Sequence, residues 1–157
     1  MEREIKFRGY DAESREWRYG HYFHKTDTIL CIASDEERRK NSHHLILFGG
    51  FCDWNMPRPY YQSEVDRDSI GMYTGKHDMS GAEVYEGDVI ENSDGFRMEI
   101  KYGLHNAYCP ADRCNMDSVG FYAVGEGLPE MPIGCLEDYA KVIGNIYENP
   151  DLRNPQN

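Results

Sequence analysis

The sequence has no apolar segment long enough for a signal peptide or a membrane-spanning helix. A signal peptide needs an apolar run of about 7–15 residues, and a membrane helix needs about 18 or more. Charged residues instead follow Met1 at once, at Glu2 and Arg3. The five cysteines are an odd number at irregular spacing, unlike the even sets of small secreted domains. We therefore expect a cytoplasmic protein with reduced cysteines and no membrane partner.

The sequence also lacks the short motifs that mark common catalytic sites. It contains no Gly-x-Ser-x-Gly elbow, no P-loop and no cysteine in a recognised catalytic signature. Gly125-Glu126-Gly127 is a lone Gly-x-Gly without the third glycine of a dinucleotide loop. We predict a non-enzymatic protein without a cofactor, and keep an unrecognised enzyme as an alternative.

Basic residues are scarce, with 17 against 28 acidic residues and a net charge of −11. Proteins that grip phosphate backbones usually carry the opposite sign, so nucleic acid is disfavoured as a partner. A nucleic-acid-binding small barrel stays an alternative, because aromatic and basic side chains that suit single-stranded bases cluster at Trp54, Arg58, Tyr60 and Tyr61.

One acidic run stands out within twelve residues that contain no lysine or arginine: Glu83, Glu86, Asp88, Glu91 and Asp94. Such a run is either a solvated face or a patch that meets a basic protein partner. We favour a protein partner whose identity the sequence does not reveal. Homo-oligomerisation is also possible in principle, since exposed strand edges can pair.

Short alternating segments separated by glycine turns indicate a mostly β fold, α+β at most. The first 23 residues read as a β-hairpin, and Asp94-Gly95 is a second hairpin signal. Ser34 and Glu37 have the spacing of a helix capping box, although the residues after them carry no apolar stripe. We predict one helical turn over 136–140 and a long polar loop over 103–118. No βαβ alternation is present, which argues against Rossmann and TIM-barrel folds.

Three segments resemble the YopX-like proteins of phages and prophages. The first is Arg3 to Arg8 with Asp11 and Trp17, and the second runs from Tyr73 to Val89. The third is Val142 to Pro150. The resemblance implies a small SH3-like β-barrel with additional β-hairpins, a mobile-element origin and a bacterial host cell. It implies no activity, because the family is uncharacterised in function.

The resemblance and the element pattern together predict two modules and a tail. Residues 1–64 form an N-terminal β-hairpin module, which could pack with the C-terminal strand. Residues 65–150 form the SH3-like barrel module, and residues 151–157 form a frayed tail. One compact unit is the alternative.

The central family segment has a structural and a functional interpretation. Structurally, the glycines allow positive φ and the aspartate bonds nearby amides, so we predict a turn motif at Gly75, Asp78, Gly81 and Gly87. Functionally, the segment could line a binding groove with an acidic patch, for which the candidate residues are Tyr73, Thr74, Tyr85, Glu86, Asp88 and Glu91.

A zinc site is a further alternative. His105, Cys109 and Cys114 are close in sequence, and Cys135 could complete a tetrahedral set. Structural zinc sites usually pair cysteines two to four residues apart in a tighter signature than this one. We therefore predict no metal at these residues.

Overall fold

The computed structural model describes residues 4–27, 31–50, 60–109 and 111–153. These residues form two compact units that divide between Met72 and Tyr73. The N-terminal unit comprises Ile5–Met72, and the C-terminal unit comprises the described parts of Met1–Glu4 and Tyr73–Asn157. None of the helices in this described part of the chain is long and apolar enough to cross a membrane.

The N-terminal unit is an antiparallel sheet with strand order β4-β3-β2-β1. The start of a fifth strand pairs with β1 through Gly71 and Met72. The bounds are β1 Phe7–Asp11, β2 Glu16–Thr26, β3 Ser42–Phe48, β4 Tyr61–Glu64 and β5 Gly71–His77. The predicted N-terminal hairpin is confirmed as β1 and β2.

Two glycines allow the chain to pack closely in this unit. A Cβ on Gly20 would lie 2.1 Å from the carbonyl oxygen of Leu47, and one on Gly9 would meet the side chain of Val65 at 2.6 Å. Among the described residues of this unit, the buried apolar side chains are Leu45, Ile46 and Val65. This small core is held by strand pairing and close backbone approach.

The single described α-helix, α1, spans Asp35–Lys40. Its capping box is confirmed: Ser34 accepts a hydrogen bond from the Glu37 amide, and the Glu37 carboxylate accepts one from the Ser34 amide. Acidic residues fill its first turn and basic residues its last, which suits the helix dipole. The helix buries no residue, so local capping rather than packing supports it.

The C-terminal unit contains the rest of β5 paired with β6, and a five-stranded sheet of order β10-β9-β8-β7-β11. The bounds are β6 Glu83–Tyr85, β7 Asp88–Asn92, β8 Arg97–Cys109, β9 Cys114–Val124, β10 Met131–Pro132 and β11 Ala140–Asn145. Three 3₁₀ turns occupy Arg67–Ser69 in the N-terminal unit, and Leu136–Asp138 and Pro150–Arg153 in this one. Residues 154–157 of the predicted tail lie outside the described residues.

The larger core lies in the C-terminal unit. Its buried members come from strands β6 to β9, β11 and one 3₁₀ turn: Val84, Ile90, Met98, Ile100, Ala123, Leu136 and Ala140. Phe121, Leu128, Ile133, Tyr139 and Val142 pack around them. The mostly β prediction is confirmed, with antiparallel pairing throughout the described sheets. A closed SH3-like barrel stays a prediction.

The predicted polar loop over 103–118 is wrong. Most of these residues belong to β8 and β9, which pair without interruption from Glu99↔Val124 to Cys109↔Cys114. Since both faces of this ribbon are largely exposed towards its tip, no core imposes an apolar alternation on the sequence.

Candidate functional site

The aromatic members of the predicted binding groove lie inside the C-terminal unit. Tyr73 and Tyr85 are directly opposed on β5 and β6, with ring centroids 5.3 Å apart, and both are buried. The Tyr85 hydroxyl donates to the Glu83 carboxylate at 2.7 Å. The Thr74 hydroxyl is also buried and donates to the Val84 carbonyl at 2.8 Å. These three side chains pack the interior of the unit and present little surface to a partner.

The acidic members of the predicted site divide between the interior and the surface. Asp88 is 1% exposed, and its carboxylate accepts a hydrogen bond from the Tyr85 amide at 2.7 Å. Glu86 and Glu91 are half-buried, and Glu91 forms an ion pair with Arg97 at 2.9 Å. A charge reversal at Asp88 would therefore break this hydrogen bond in the turn. Any loss of partner binding in such a variant would reflect a change in the fold as well as a change in charge.

Asp78 joins the second and third family segments. Its Oδ1 atom accepts hydrogen bonds from the amides of Ser80 and Ala82 and from the Ser80 hydroxyl, at 2.7–2.9 Å. Its Oδ2 atom accepts one from the Val142 amide at 2.9 Å. Burial raises the pKa of Asp78, but the hydrogen bonds from Ser80, Val142 and Ala82 outweigh it and hold the pKa below the usual 3.8. The carboxylate is thus bound as an anion at the centre of a fold-defining turn.

The three motif glycines have left-handed backbone: Gly81 and Gly87 lie in turns, whereas Gly75 lies within β5, where the pairing with β6 shifts register. Gly75, Gly81 and Gly87 have φ values of 80°, 82° and 83°, which residues other than glycine adopt only at a cost. The Gly87 amide donates to the Ile100 carbonyl, and its own carbonyl accepts from the Ile146 amide. The central motif therefore organises hydrogen bonding between distant strands of its unit.

The residues of the zinc alternative are spread along an extended ribbon. Cys109 and Cys114 are directly opposed at its tip, but His105 lies four residues back along β8, a separation of about 13 Å at strand rise. His105 is buried and stacks on Tyr122 at 4.6 Å. Cys135 precedes a 3₁₀ turn and is exposed. Within the described ranges, no three or more His, Cys, Asp or Glu residues are grouped to hold a metal ion.

An exposed apolar surface lies on the ribbon of β8 and β9, in the segment that was predicted to be a polar loop. We call residues 102–109 and 114–121 the β8–β9 arm. Opposed residues of antiparallel strands share a face, and here Tyr102 opposes Phe121 and Leu104 opposes Val119. Leu104 and Val119 are 67% and 68% exposed. We define the apolar arm face as the exposed residues Tyr102, Leu104, Tyr108 and Val119 together with Phe121, which is half-buried against the core.

The negative charge of the protein is concentrated in the unit that carries this arm. Residues 5–72 contain 11 acidic and 10 basic residues, whereas residues 73–157 contain 15 acidic and 6 basic residues. Asp117 lies on the same face of the arm, where it accepts a hydrogen bond from the Asn106 side chain at 3.2 Å. The apolar arm face thus belongs to an acidic unit.

The N-terminal unit carries a different kind of surface, a groove of about 750 Å³. Its polar lining consists of Tyr22, His24, Arg39, Ser42, His44 and Arg67, and Phe7 and Ile70 add apolar wall. Sequence reasoning missed this site because its residues come from five separate segments. The earlier nucleic-acid candidates Trp54 and Arg58 lie outside the described residues, and Tyr60 and Tyr61 are exposed.

The histidines and the tyrosine of the groove form one row of near-parallel rings. His24 and His44 are opposed on β2 and β3, with ring centroids 4.9 Å apart and planes 10° apart. The Tyr22 ring lies 12° from the plane of His44, and its hydroxyl is 2.7 Å from His44 Nδ1. Burial lowers the pKa of His44, and His24 and Arg67 lower it further, whereas Glu64 and Asp68 act in the opposite direction.

Comparison with known proteins supports the family resemblance. A sequence model of the family described as YopX protein matches residues 6–153, which is nearly the whole chain. None of the curated proteins compared with the chain matches it. The chain belongs to the YopX family, as the three segments predicted.

Proposed function

We propose that this YopX family member is a non-enzymatic interaction protein that binds a basic protein partner through the apolar arm face. The observation that carries the proposal is the exposure of Leu104 and Val119 as an opposed pair on a two-stranded ribbon. Contiguous exposed apolar side chains are the usual signature of a protein-binding surface. The cytoplasm of a bacterial host cell is the proposed location, and the exposed free thiols of Cys31, Cys114 and Cys135 suit it.

The charge of the unit supports a basic partner. Fifteen acidic against six basic residues in 73–157 would attract a positively charged rim and repel an acidic one. Asp88 is buried and cannot contact a partner directly. In this proposal the carboxylates that attract the basic partner are exposed ones such as Asp117. The other predicted acidic residues, Glu86 and Glu91, are half-buried and stay candidates for the rim.

The test begins with capture of the partner from host lysate by the tagged full chain, followed by titration of the purified partner. We expect Leu104→Ser with Val119→Ser to weaken binding at least tenfold, because burial of a Leu or Val side chain contributes roughly 1.5–3 kcal/mol. Phe96→Ser is the matched control, since Phe96 is half exposed in the same unit but outside the arm. It should leave the affinity within about twofold.

The charge of the partner gives a second readout. Asp117→Lys should weaken binding, and the loss should be larger at low ionic strength, because exposed charges are screened by salt. An affinity that the double serine variant leaves unchanged would contradict the proposal. So would a partner with an acidic contact surface, or self-association through this face in sedimentation experiments.

A further inference from the structure

The groove of the N-terminal unit has the electrostatics of an anion site. Its described lining residues include two arginines and two histidines but no aspartate or glutamate, while Glu64 and Asp68 lie outside this lining yet close enough to raise the pKa of His44. The side chains of Arg39 and Arg67 form no ion pair or hydrogen bond with any described residue. The unit around them is nearly neutral, with 11 acidic and 10 basic residues. Within the described part of this unit, two guanidinium groups without an ion-pair or hydrogen-bond partner thus line one concavity.

Arginine is the residue best suited to recognising phosphate. Its planar group offers parallel N–H donors that match two phosphate oxygens, and charge-assisted hydrogen bonds of this kind are strong. Arg67 begins the 3₁₀ turn between β4 and β5, while Arg39 comes from α1. The two side chains therefore approach the groove from different elements, an arrangement that suits one bound anion better than a solvated surface.

The remaining lining suits a flat ring. Tyr22, His44 and His24 present a row of near-parallel rings, and Phe7 packs against Tyr22 with ring centroids 5.7 Å apart. Aromatic faces bind nucleobases of any sequence by stacking. The groove volume of about 750 Å³ is within the range of small-molecule sites, roughly 300–1,000 Å³.

We propose that this groove binds a nucleoside phosphate, with Arg39 and Arg67 on the phosphate and the base against the aromatic wall formed by Phe7, Tyr22 and His24. The nucleoside phosphate that binds is either a free mononucleotide or the phosphorylated end of a single-stranded nucleic acid. The site belongs to the N-terminal unit and is independent of the apolar arm face.

Calorimetric titration of the full chain with AMP tests the proposal. We expect saturable binding that Arg39→Gln and Arg67→Gln each weaken at least tenfold. Arg38→Gln is the matched control, because Arg38 is the neighbouring helix residue and its side chain donates to the Ala33 carbonyl at 3.2 Å. It should leave the affinity within about twofold. Arg39 and Arg67 are both exposed, so their variants should melt at the temperature of the parent.

Two smaller probes, adenosine and inorganic phosphate, measure the contributions of the base with its sugar and of the phosphate separately. Adenosine and inorganic phosphate should each bind at least tenfold more weakly than AMP. Adenosine as tight as AMP would overturn the phosphate assignment, and phosphate as tight as AMP would overturn the aromatic wall. Absence of AMP binding at millimolar concentration, or equal affinity in the Arg39 and Arg67 variants, would overturn the site.

A pair of oligonucleotides identifies the source. A short single strand with a 5′-phosphate should bind more tightly than AMP if the site takes a strand end, and the same strand without the phosphate should lose that gain. A strand that binds no better than AMP assigns the free mononucleotide. In either case the Arg39 and Arg67 variants must weaken the binding, or the proposal fails.

Discussion

His43 and His44 are neighbours on β3, yet their side chains lie on opposite faces of the sheet and their pKa values shift in opposite directions. Hydrogen bonds that the His43 ring donates to the carboxylates of Glu64, at 2.8 Å, and Asp27, at 3.2 Å, raise the pKa of His43. Burial lowers the pKa of His44, which faces the groove. Alternation along the strand separates an ion-paired histidine from a desolvated one.

The raised pKa of His43 predicts a stabilising contribution that is lost at high pH. The contribution is fully present below the pKa of the unfolded chain, near 6.5, and disappears as pH rises through the higher folded value. His43→Gln should therefore lower the melting temperature more at about pH 5.5 than at about pH 8. Thermal melts of both proteins across this range provide the measurement.

His21 offers the control for this pH effect. It lies on β2, is exposed, and has no carboxylate partner among the described residues. His21→Gln should change the melting temperature only slightly, because substitutions at exposed positions without a special contact have little effect on stability. A pH-independent difference between His43→Gln and the parent protein would show that the two carboxylates do not stabilise the charged imidazole.

The hydrogen bond between Tyr22 and His44 should contribute modestly to stability. Its atoms are 2.7 Å apart in a partly buried position, and a hydrogen bond of this kind contributes about 1 kcal/mol. Tyr22→Phe keeps the ring and its place in the row but removes the hydroxyl. We expect a loss of about 1 kcal/mol in urea unfolding. Tyr61→Phe, at an exposed position of β4 in the same sheet, tests whether the loss is specific to Tyr22.

Asp78 should be the most sensitive acidic position of the family motif. Asp78→Ala would leave three backbone amides and one hydroxyl without their acceptor, and the predicted cost is about 3 kcal/mol. Asp94→Ala in the exposed β7–β8 turn is the control, with a change under about 1 kcal/mol. A comparable loss in both variants would contradict the special role of Asp78.

The lowered pKa of Asp78 also sets the direction of its pH dependence. Its carboxylate contributes stability above the pKa of the unfolded chain, near 3.8, and this contribution is lost as pH falls through the lower folded value. The difference in unfolding free energy between the parent and Asp78→Asn should thus shrink in acid below about pH 4. A difference that is constant from neutral pH into acid would contradict this prediction.

The local features of the fold were predictable because each depends on residues close in sequence. The capping box needs only Ser34 and Glu37, and the β7–β8 turn needs Asp94-Gly95, where the Gly95 φ is 81°. The family segments are equally local. These signals correctly gave a mostly β chain with short helical turns.

The candidate sites were not predictable for two physical reasons. The groove depends on the register of β2 and β3, which places His24 opposite His44. It also depends on the 3₁₀ turn that places Arg67 beside these strands. The β8–β9 arm was misread as a loop because a ribbon with two exposed faces has no buried face to impose period-two hydrophobicity. Even so, Tyr102, Leu104 and Tyr108 do alternate, which was the available signal.

Two glycines provide a test of the register of β2 and β3, on which the groove depends. A Cβ on Gly20 would lie 2.1 Å from the Leu47 carbonyl oxygen, a backbone atom that cannot move without separating the strands. Gly120, on β9, has no atom within 4 Å of the same position and no positive φ. Gly20→Ala should destabilise the protein by several kcal/mol, as overpacking against backbone does, while Gly120→Ala should be neutral or slightly stabilising.

The two alanine variants are compared by urea unfolding and by AMP titration. We expect Gly20→Ala to lose both stability and nucleotide binding, because displacement of β3 carries His44 away from His24. Gly120→Ala should retain both. If Gly20→Ala were as stable as the parent, the close contact between Gly20 and Leu47 would be wrong, and with it the strand register that places the two histidines side by side.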